Sequence, residues 1–158
     1  MKITVLAAGA WGTALALAFA ARHRVTLWAQ EAELVADMQT QRENRRFLPG
    51  FVFPDALRIE GNLGEALTGT ELILVATPIA GLRPTLQTLA ALRVNTPLLW
   101  VCKGVEAGSG ALPHQIAAHE LPNAPQGVLT GPSFAQEVAG GQPTAIILAA
   151  ADKAFAHK

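Results

Sequence analysis

Ile3-Thr-Val-Leu-Ala-Ala-Gly9-Ala-Trp11-Gly12-Thr-Ala-Leu-Ala16 reads as a short apolar strand, a glycine turn and an Ala/Leu helix. A helix that starts directly after a buried strand presents unpaired N–H groups and a partial positive charge, which suits an anion such as the diphosphate of a dinucleotide. The usual spacing is G-x-G-x-x-G: the first Gly makes the turn, the second admits the phosphates, and the third lets helix and strand pack closely. Here the three places hold Ala7, Gly9 and Gly12, so the first glycine is missing. The pair Gly9 and Gly12 also fits a plain strand-to-helix turn, and the rest of the chain has to decide between the two.

Ile3 to Ala21 is uncharged, follows Lys2 and contains Ala18-Phe-Ala20, which has the form of a signal-peptide cleavage site. The glycines interrupt that apolar run, and a second strand, Val25-Thr-Leu-Trp28, follows at once as a βαβ unit requires. This reading predicts a soluble protein with no membrane partner, since no other uncharged run approaches spanning length. At 158 residues, 51% hydrophobic and 15% charged, the chain has the size and composition of one domain around a largely buried parallel sheet. Twelve basic and twelve acidic residues give zero formal net charge, which offers no broad attraction to nucleic acid or anionic lipid. The lone Cys102 excludes an intrachain disulfide, fits a reducing, cytoplasmic setting, and ends an apolar run as a small buried hydrophobe would. No metal site is expected: His114 and His119 are five apart, and His23 and His157 have no evident partners.

Apolar runs alternate with helical patterns, the signature of an α/β fold with a doubly wound, mostly parallel sheet. Strands are expected at Lys2–Leu6, Arg24–Ala29, Leu57–Glu60, Leu72–Ala76, Pro97–Cys102, Gly127–Thr130 and Thr144–Leu148. Helices are expected at Trp11–Arg22, Glu31–Gln41, Leu63–Leu67, Ile79–Leu92, Leu112–Leu121 and Ser133–Val138, the last starting at the capping box Ser133-Phe-Ala-Gln136. Arg42–Pro54, with Arg42, Arg45 and Arg46, is the longest irregular segment. Residues 152–158 read as the start of a helix leading to a second domain that the chain lacks, so residues 1–158 are expected to form one dinucleotide-binding domain, the amino-terminal part of a longer protein or of one cut short.

Three places past strand ends have the chemistry to line a ligand crevice: Thr77-Pro78, Lys103-Gly104 and Thr130-Gly-Pro-Ser-Phe-Ala135. Lys103 offers an ammonium to a phosphate or carbonyl oxygen, and Ser133 a hydroxyl to an anion. Each is unremarkable alone, as a surface lysine or an N-cap; together they are harder to dismiss. Gln30, 21 positions beyond Gly9, stands where an acidic residue commonly holds the ribose 2′-OH. Being neutral, it leaves NAD and NADP both open, with Arg45 or Arg46 available to a 2′-phosphate.

Ala8-Gly-Ala-Trp-Gly-Thr-Ala-Leu-Ala16, Asn44-Arg-Arg-Phe-Leu-Pro-Gly50, Trp100-Val-Cys-Lys-Gly-Val-Glu106 and Leu129-Thr-Gly-Pro-Ser-Phe-Ala-Gln-Glu-Val-Ala139 together resemble the bacterial NAD(P)-dependent glycerol-3-phosphate dehydrogenases, along essentially the whole chain. The resemblance implies a Rossmann-like domain and reversible reduction of dihydroxyacetone phosphate to sn-glycerol 3-phosphate, a phospholipid precursor. It places Gly9, Ala10, Trp11 and Gly12 at the cofactor turn, Gln30 near the adenosine ribose, and Phe47 and Ala135 near the cofactor. Lys103 would touch both cofactor and substrate, and Gly131 and Ser133 the substrate, a small phosphorylated molecule. The family's general acid/base lysine belongs to a helical carboxyl-terminal domain, so no catalytic residue is expected in this chain. Alone it is expected to bind cofactor weakly and turn over negligibly. A homodimer is an option for the full-length protein that the sequence leaves open. The other readings are a related 2- or 3-hydroxyacid reductase domain and a non-catalytic nucleotide-binding module.

Overall fold

The structure, a computed structural model, describes residues 1–156. Its central sheet is built from β1 (Lys2–Leu6), β2 (Arg24–Trp28), β5 (Arg58–Glu60), β6 (Leu72–Val75), β7 (Leu98–Trp100), β8 (Gln126–Thr130) and β9 (Ile147–Ala150). The spatial order is β5-β2-β1-β6-β7-β8-β9. The first six of these are parallel, and β9 joins antiparallel to β8 with Thr130 opposite Ile147. Taken in chain order, the six parallel strands run 3-2-1-4-5-6, two βαβαβ halves that diverge between β1 and β6.

Side chains alternate across this sheet with period two. Ile3, Val5, Leu74 and Leu99 face one core, with Leu15 and Ala16 of α1 (Ala10–Ala20) and Leu34, Val35 and Met38 of α2 (Ala32–Gln41). Leu6, Ile73, Val75, Leu98 and Trp100 face the other, with Leu82, Leu86 and Leu89 of α4 (Ile79–Ala91) and Ile116 and Ala117 of α5 (Pro113–Glu120). A short α3 (Leu63–Leu67), N-capped by the Asn62 side chain, connects β5 to β6. The strands centre on apolar residues buried against these two cores, as continuous runs in β6 and β7 and as a single Ile59 between charged residues in β5.

Three expectations need correction. The segment 42–54 is not irregular: β3 (Glu43–Asn44) and β4 (Leu48–Val52) form a small antiparallel hairpin. Arg42 caps α2 in the left-handed region at φ 51°, and its guanidinium donates to the Pro54 and Leu57 carbonyls at 2.7 and 2.9 Å. The last strand is Ile147–Ala150 rather than Thr144–Leu148. Ser133 does not cap a helix: α6 is Ala135–Ala139, Phe134 is its N-cap, and the Phe134 N–H donates to the Glu137 carboxylate at 3.3 Å. The helix expected over 152–158 is present as α7 (Lys153–Ala156), where Asp152 accepts from the Ala154 N–H at 2.8 Å and Phe155 is buried; positions 157 and 158 lie outside the described residues. Among the described residues no helix is long and apolar enough to cross a membrane.

Candidate functional site: a cleft at the carboxyl edge of the sheet

The chain leaves β1 at Leu6 and turns through Ala7 and Ala8 into Gly9, the N-cap of α1. Ala7 has φ 83°, a conformation that costs an L-residue roughly 1–2 kcal/mol, so the missing first glycine leaves real strain in the turn. Gly12 is required by contact: a Cβ there would lie 2.1 Å from the Ala7 carbonyl oxygen and 3.1 Å from Ala76 Cβ. Gly9 is different. It is extended (φ −68°, ψ 179°), and a Cβ built on it meets nothing within 4 Å. The protein therefore has open space at the Gly9 Cβ position, and no side chain caps the first α1 amides. An anion fits that space.

A cleft of about 330 Å³ opens beside this turn, lined by Ala10, Trp11, Lys103, Gly131, Ser133 and Ala135 among others. Three elements bring these residues together. Ala10 and Trp11 open α1, Lys103 follows β7, and Gly131 to Ala135 connect β8 to α6. Helix α6 packs on α1 and the hairpin through Val138, Ala14 and Leu48, with Trp11, Phe51 and Ala135 against them. The Lys103 ammonium reaches the Gly131 carbonyl at 3.5 Å, and the Ser133 hydroxyl oxygen is buried with no hydrogen-bond partner among the described residues. Gly131 has a packing reason of its own, since a Cβ would lie 2.2 Å from the Ala145 carbonyl oxygen.

The Lys103 loop is held from below. Arg83 of α4 clamps Glu106 with two bonds of 2.8 Å and also pairs with Glu120 of α5, while the Ser109 hydroxyl donates to Glu106 at 2.5 Å. Donation by Arg83, and then by Ser109, holds the Glu106 carboxyl down at about 2 against opposing desolvation. These residues keep the loop in place without lining the cleft. Cys102, one position before Lys103, is buried, and burial pushes its thiol pKa up.

Of the residues singled out in the sequence, Gly9 and Gly12 sit in the turn beside the cleft, and Thr77, Pro78, Gly104, Gln30 and Phe47 do not line it. Gln30 is exposed just beyond β2, on the same sheet edge as the turn, where the Ala7 N–H donates to the Trp28 carbonyl at 3.0 Å. Phe47 is 40% exposed on the hairpin, with the Arg46 guanidinium 5.1 Å over its ring. Arg45 makes only a 3.5 Å exposed pair with Glu43, an interaction of little energetic weight. A larger, mostly apolar hollow of about 610 Å³ lies between α5 and the β8–β9 edge; His114 and Asp152 are its ionisable lining residues, and it shares no wall with the glycine turn.

The sequence reading missed Asn44. It is fully buried, and its Nδ2 donates to the Ala8 carbonyl and to Thr13 Oγ1, both at 2.8 Å. Its only signal was its place at the head of the Asn44-Arg-Arg-Phe-Leu-Pro-Gly50 segment.

Strand order, switch point and glycine turn define a domain of the Rossmann class, with its crevice at the carboxyl ends of β1 and β6 to β8. The profile of the NAD-dependent glycerol-3-phosphate dehydrogenase N-terminus matches residues 2–156, and the chain belongs to that family. It is 55% identical over 159 residues to the glycerol-3-phosphate dehydrogenase [NAD(P)+] of Dechloromonas aromatica and 54% identical to that of Aromatoleum aromaticum. In both cases all of this chain aligns with 48% of the relative, so it spans about half the length of the curated relatives it matches. The crystal structure of glycerol-3-phosphate dehydrogenase from Coxiella burnetii superposes with a TM-score of 0.92 at 37% identity, covering 99% of this chain and 48% of the other.

Proposed function

We propose that this chain is the cofactor- and substrate-binding half of a glycerol-3-phosphate dehydrogenase, working in the cytoplasm to supply sn-glycerol 3-phosphate for phospholipids. The observation that carries the reading is the open space at Gly9, the N-cap of the uncapped α1, whose first residues Ala10 and Trp11 also line a cleft that holds Lys103 and the unpartnered Ser133 hydroxyl. The diphosphate of NAD(H) or NADP(H) would rest on the α1 amides, with Ala10 and Trp11 beside it and Gln30 and Phe47 towards the adenosine end. Bound there, the nicotinamide supplies hydride to the substrate carbonyl carbon.

In this reading Lys103 does two jobs. Its ammonium lines the cleft beside the Gly131 carbonyl, and it would touch the cofactor and stabilise negative charge on the carbonyl oxygen or phosphate of dihydroxyacetone phosphate. Ser133 and the Gly131 backbone hold the substrate against it, and Ala135 closes the wall on the cofactor side. The proton for the carbonyl oxygen would come from outside this chain, from the other half of a full-length enzyme. General acid catalysis of that kind is worth typically about 10²–10⁴-fold, so residues 1–158 alone should bind without appreciable turnover.

Calorimetric titration with NADH and NADPH, each with and without dihydroxyacetone phosphate, tests the assignment. Saturable binding of one dinucleotide, tightened or altered by the triose phosphate, is expected. No heat from either up to millimolar concentration refutes it.

A further inference from the structure

We propose that Asn44 is a positioning residue for the dinucleotide site, aiming the amide groups of the turn outward by holding the Ala8 carbonyl inward. The proposal rests on the dinucleotide reading above. A trans peptide is planar, and its C=O and the following N–H point in opposite directions. Asn44 Nδ2 takes the Ala8 carbonyl at 2.8 Å, with Thr13 Oγ1 donating to the same oxygen at 3.4 Å. Fixing that oxygen towards the hairpin sends the Gly9 N–H the other way, away from the hairpin. The next peptide is fixed in the same sense, because the Gly9 carbonyl accepts from the Thr13 N–H at 2.9 Å.

Only an amide side chain satisfies this position. Both Nδ2 hydrogens are used, on Ala8 O and Thr13 Oγ1, and Oδ1 accepts from the Phe47 N–H at 3.1 Å. That last bond makes the hairpin part of the device: Asn44 and Phe47 flank its bend, and Leu48 beyond them packs on Ala14 of α1. One buried side chain thus ties the turn that receives the diphosphate to the segment carrying Arg45, Arg46 and Phe47. Aspartate, of the same shape, loses both donors and sets a carboxylate against a carbonyl oxygen beside a site meant for anions.

The test compares Asn44→Asp, Asn44→Ala and Thr13→Val with the unmutated protein, reading the NADH dissociation constant, the melting temperature and the Gly9 amide resonance on adding NADH. Asn44→Ala should weaken NADH by about tenfold and Asn44→Asp by more, the loss expected when hydrogen bonds to a charged group are misaligned. Both should lose the NADH-induced Gly9 shift. Thr13→Val removes only the long 3.4 Å bond to the Ala8 oxygen and keeps the 2.8 Å bond from Asn44, so it should lower the melting temperature and cost clearly less NADH affinity than Asn44→Ala. Should Asn44→Asp fail to fold, Asn44→Ala decides the matter. Equal losses of affinity in Asn44→Ala and Thr13→Val, or unchanged affinity and Gly9 shift in a folded Asn44 variant, would reduce Asn44 to a structural staple and overturn the proposal. Failure of the unmutated protein to bind NADH or NADPH at all would instead remove the dinucleotide reading, and this inference with it.

Discussion

The first and last strands of the sheet stand on opposite terms in the fold. Strand β1 is central and parallel to both neighbours, with Val5 and Leu6 wholly buried, one against each core. Strand β9 lies at the edge, antiparallel, with Ile147 60% and Leu148 37% exposed. A strand with partners on both sides and helices on both faces has no freedom of register, and the turn that follows it inherits that precision. In β9 adjacent residues that face opposite sides are both exposed, and backbone pairing with β8 along one side is the main constraint on the position of the strand. The site uses the first kind of strand: its glycine turn follows β1 and its lysine follows β7, both interior to the sheet.

Substitutions at the two ends should differ accordingly. The largest effect is expected for Gly12→Val, because a Cβ at 2.1 Å from a backbone oxygen cannot be relieved by moving a side chain. A loss of about 3 kcal/mol or more is expected in denaturant unfolding, enough to leave little folded protein. Next comes the loop below Lys103. With its carboxyl held at about 2 against an ordinary 4.5, Glu106 favours the folded state fully above pH 4.5, and that contribution is lost as pH falls towards 2. Glu106→Gln should therefore flatten the stability curve between those values and leave its shape above them unchanged. A variant with the same acid slope as the parent would show that the Arg83 clamp does not hold the loop in solution.

Ala7→Gly is expected to act in the opposite direction. Relief of the positive φ exceeds the added chain entropy, so the gain should be up to about 1 kcal/mol, a rise of a few degrees in melting temperature. Unchanged stability would mean the turn relaxes away from φ 83° in solution. The smallest effect belongs to β9: Ile147→Ser should stay within about 0.5 kcal/mol of the parent. A loss comparable to that at Gly12 would erase the contrast between the two ends.

The same contrast explains what could be read from sequence. Each of the six parallel strands centres on buried apolar residues, and the reading places each of them to within two residues. The tail Ala145-Ile-Ile-Leu-Ala-Ala-Ala151 is apolar throughout, so no alternation marks where pairing starts, and the strand starts three residues and ends two residues later than expected. The hairpin was hidden because β3 is two residues long and β4 contains Pro49 and Gly50, both poor strand residues. In the site, Lys103, Gly131, Ser133 and Ala135 meet Ala10 and Trp11 because each follows a strand end on one edge. Asn44 and Arg83 escaped notice for a shared reason. Their partners are 23 to 37 positions away, and a polar residue among arginines or on an amphipathic helix looks like ordinary surface.

Gly9 permits the most direct test of the central claim, that the amides opening α1 receive a diphosphate. Serine fits its extended backbone, meets no protein atom there, and is a preferred N-cap whose hydroxyl would accept from one of the amides in question. Gly9→Ser should therefore leave the melting temperature unchanged or slightly higher, while NADH and NADPH affinity falls by about tenfold or more as the added side chain competes for the same N–H groups. A folded Gly9→Ser protein that binds the dinucleotide as tightly as its parent would contradict the account.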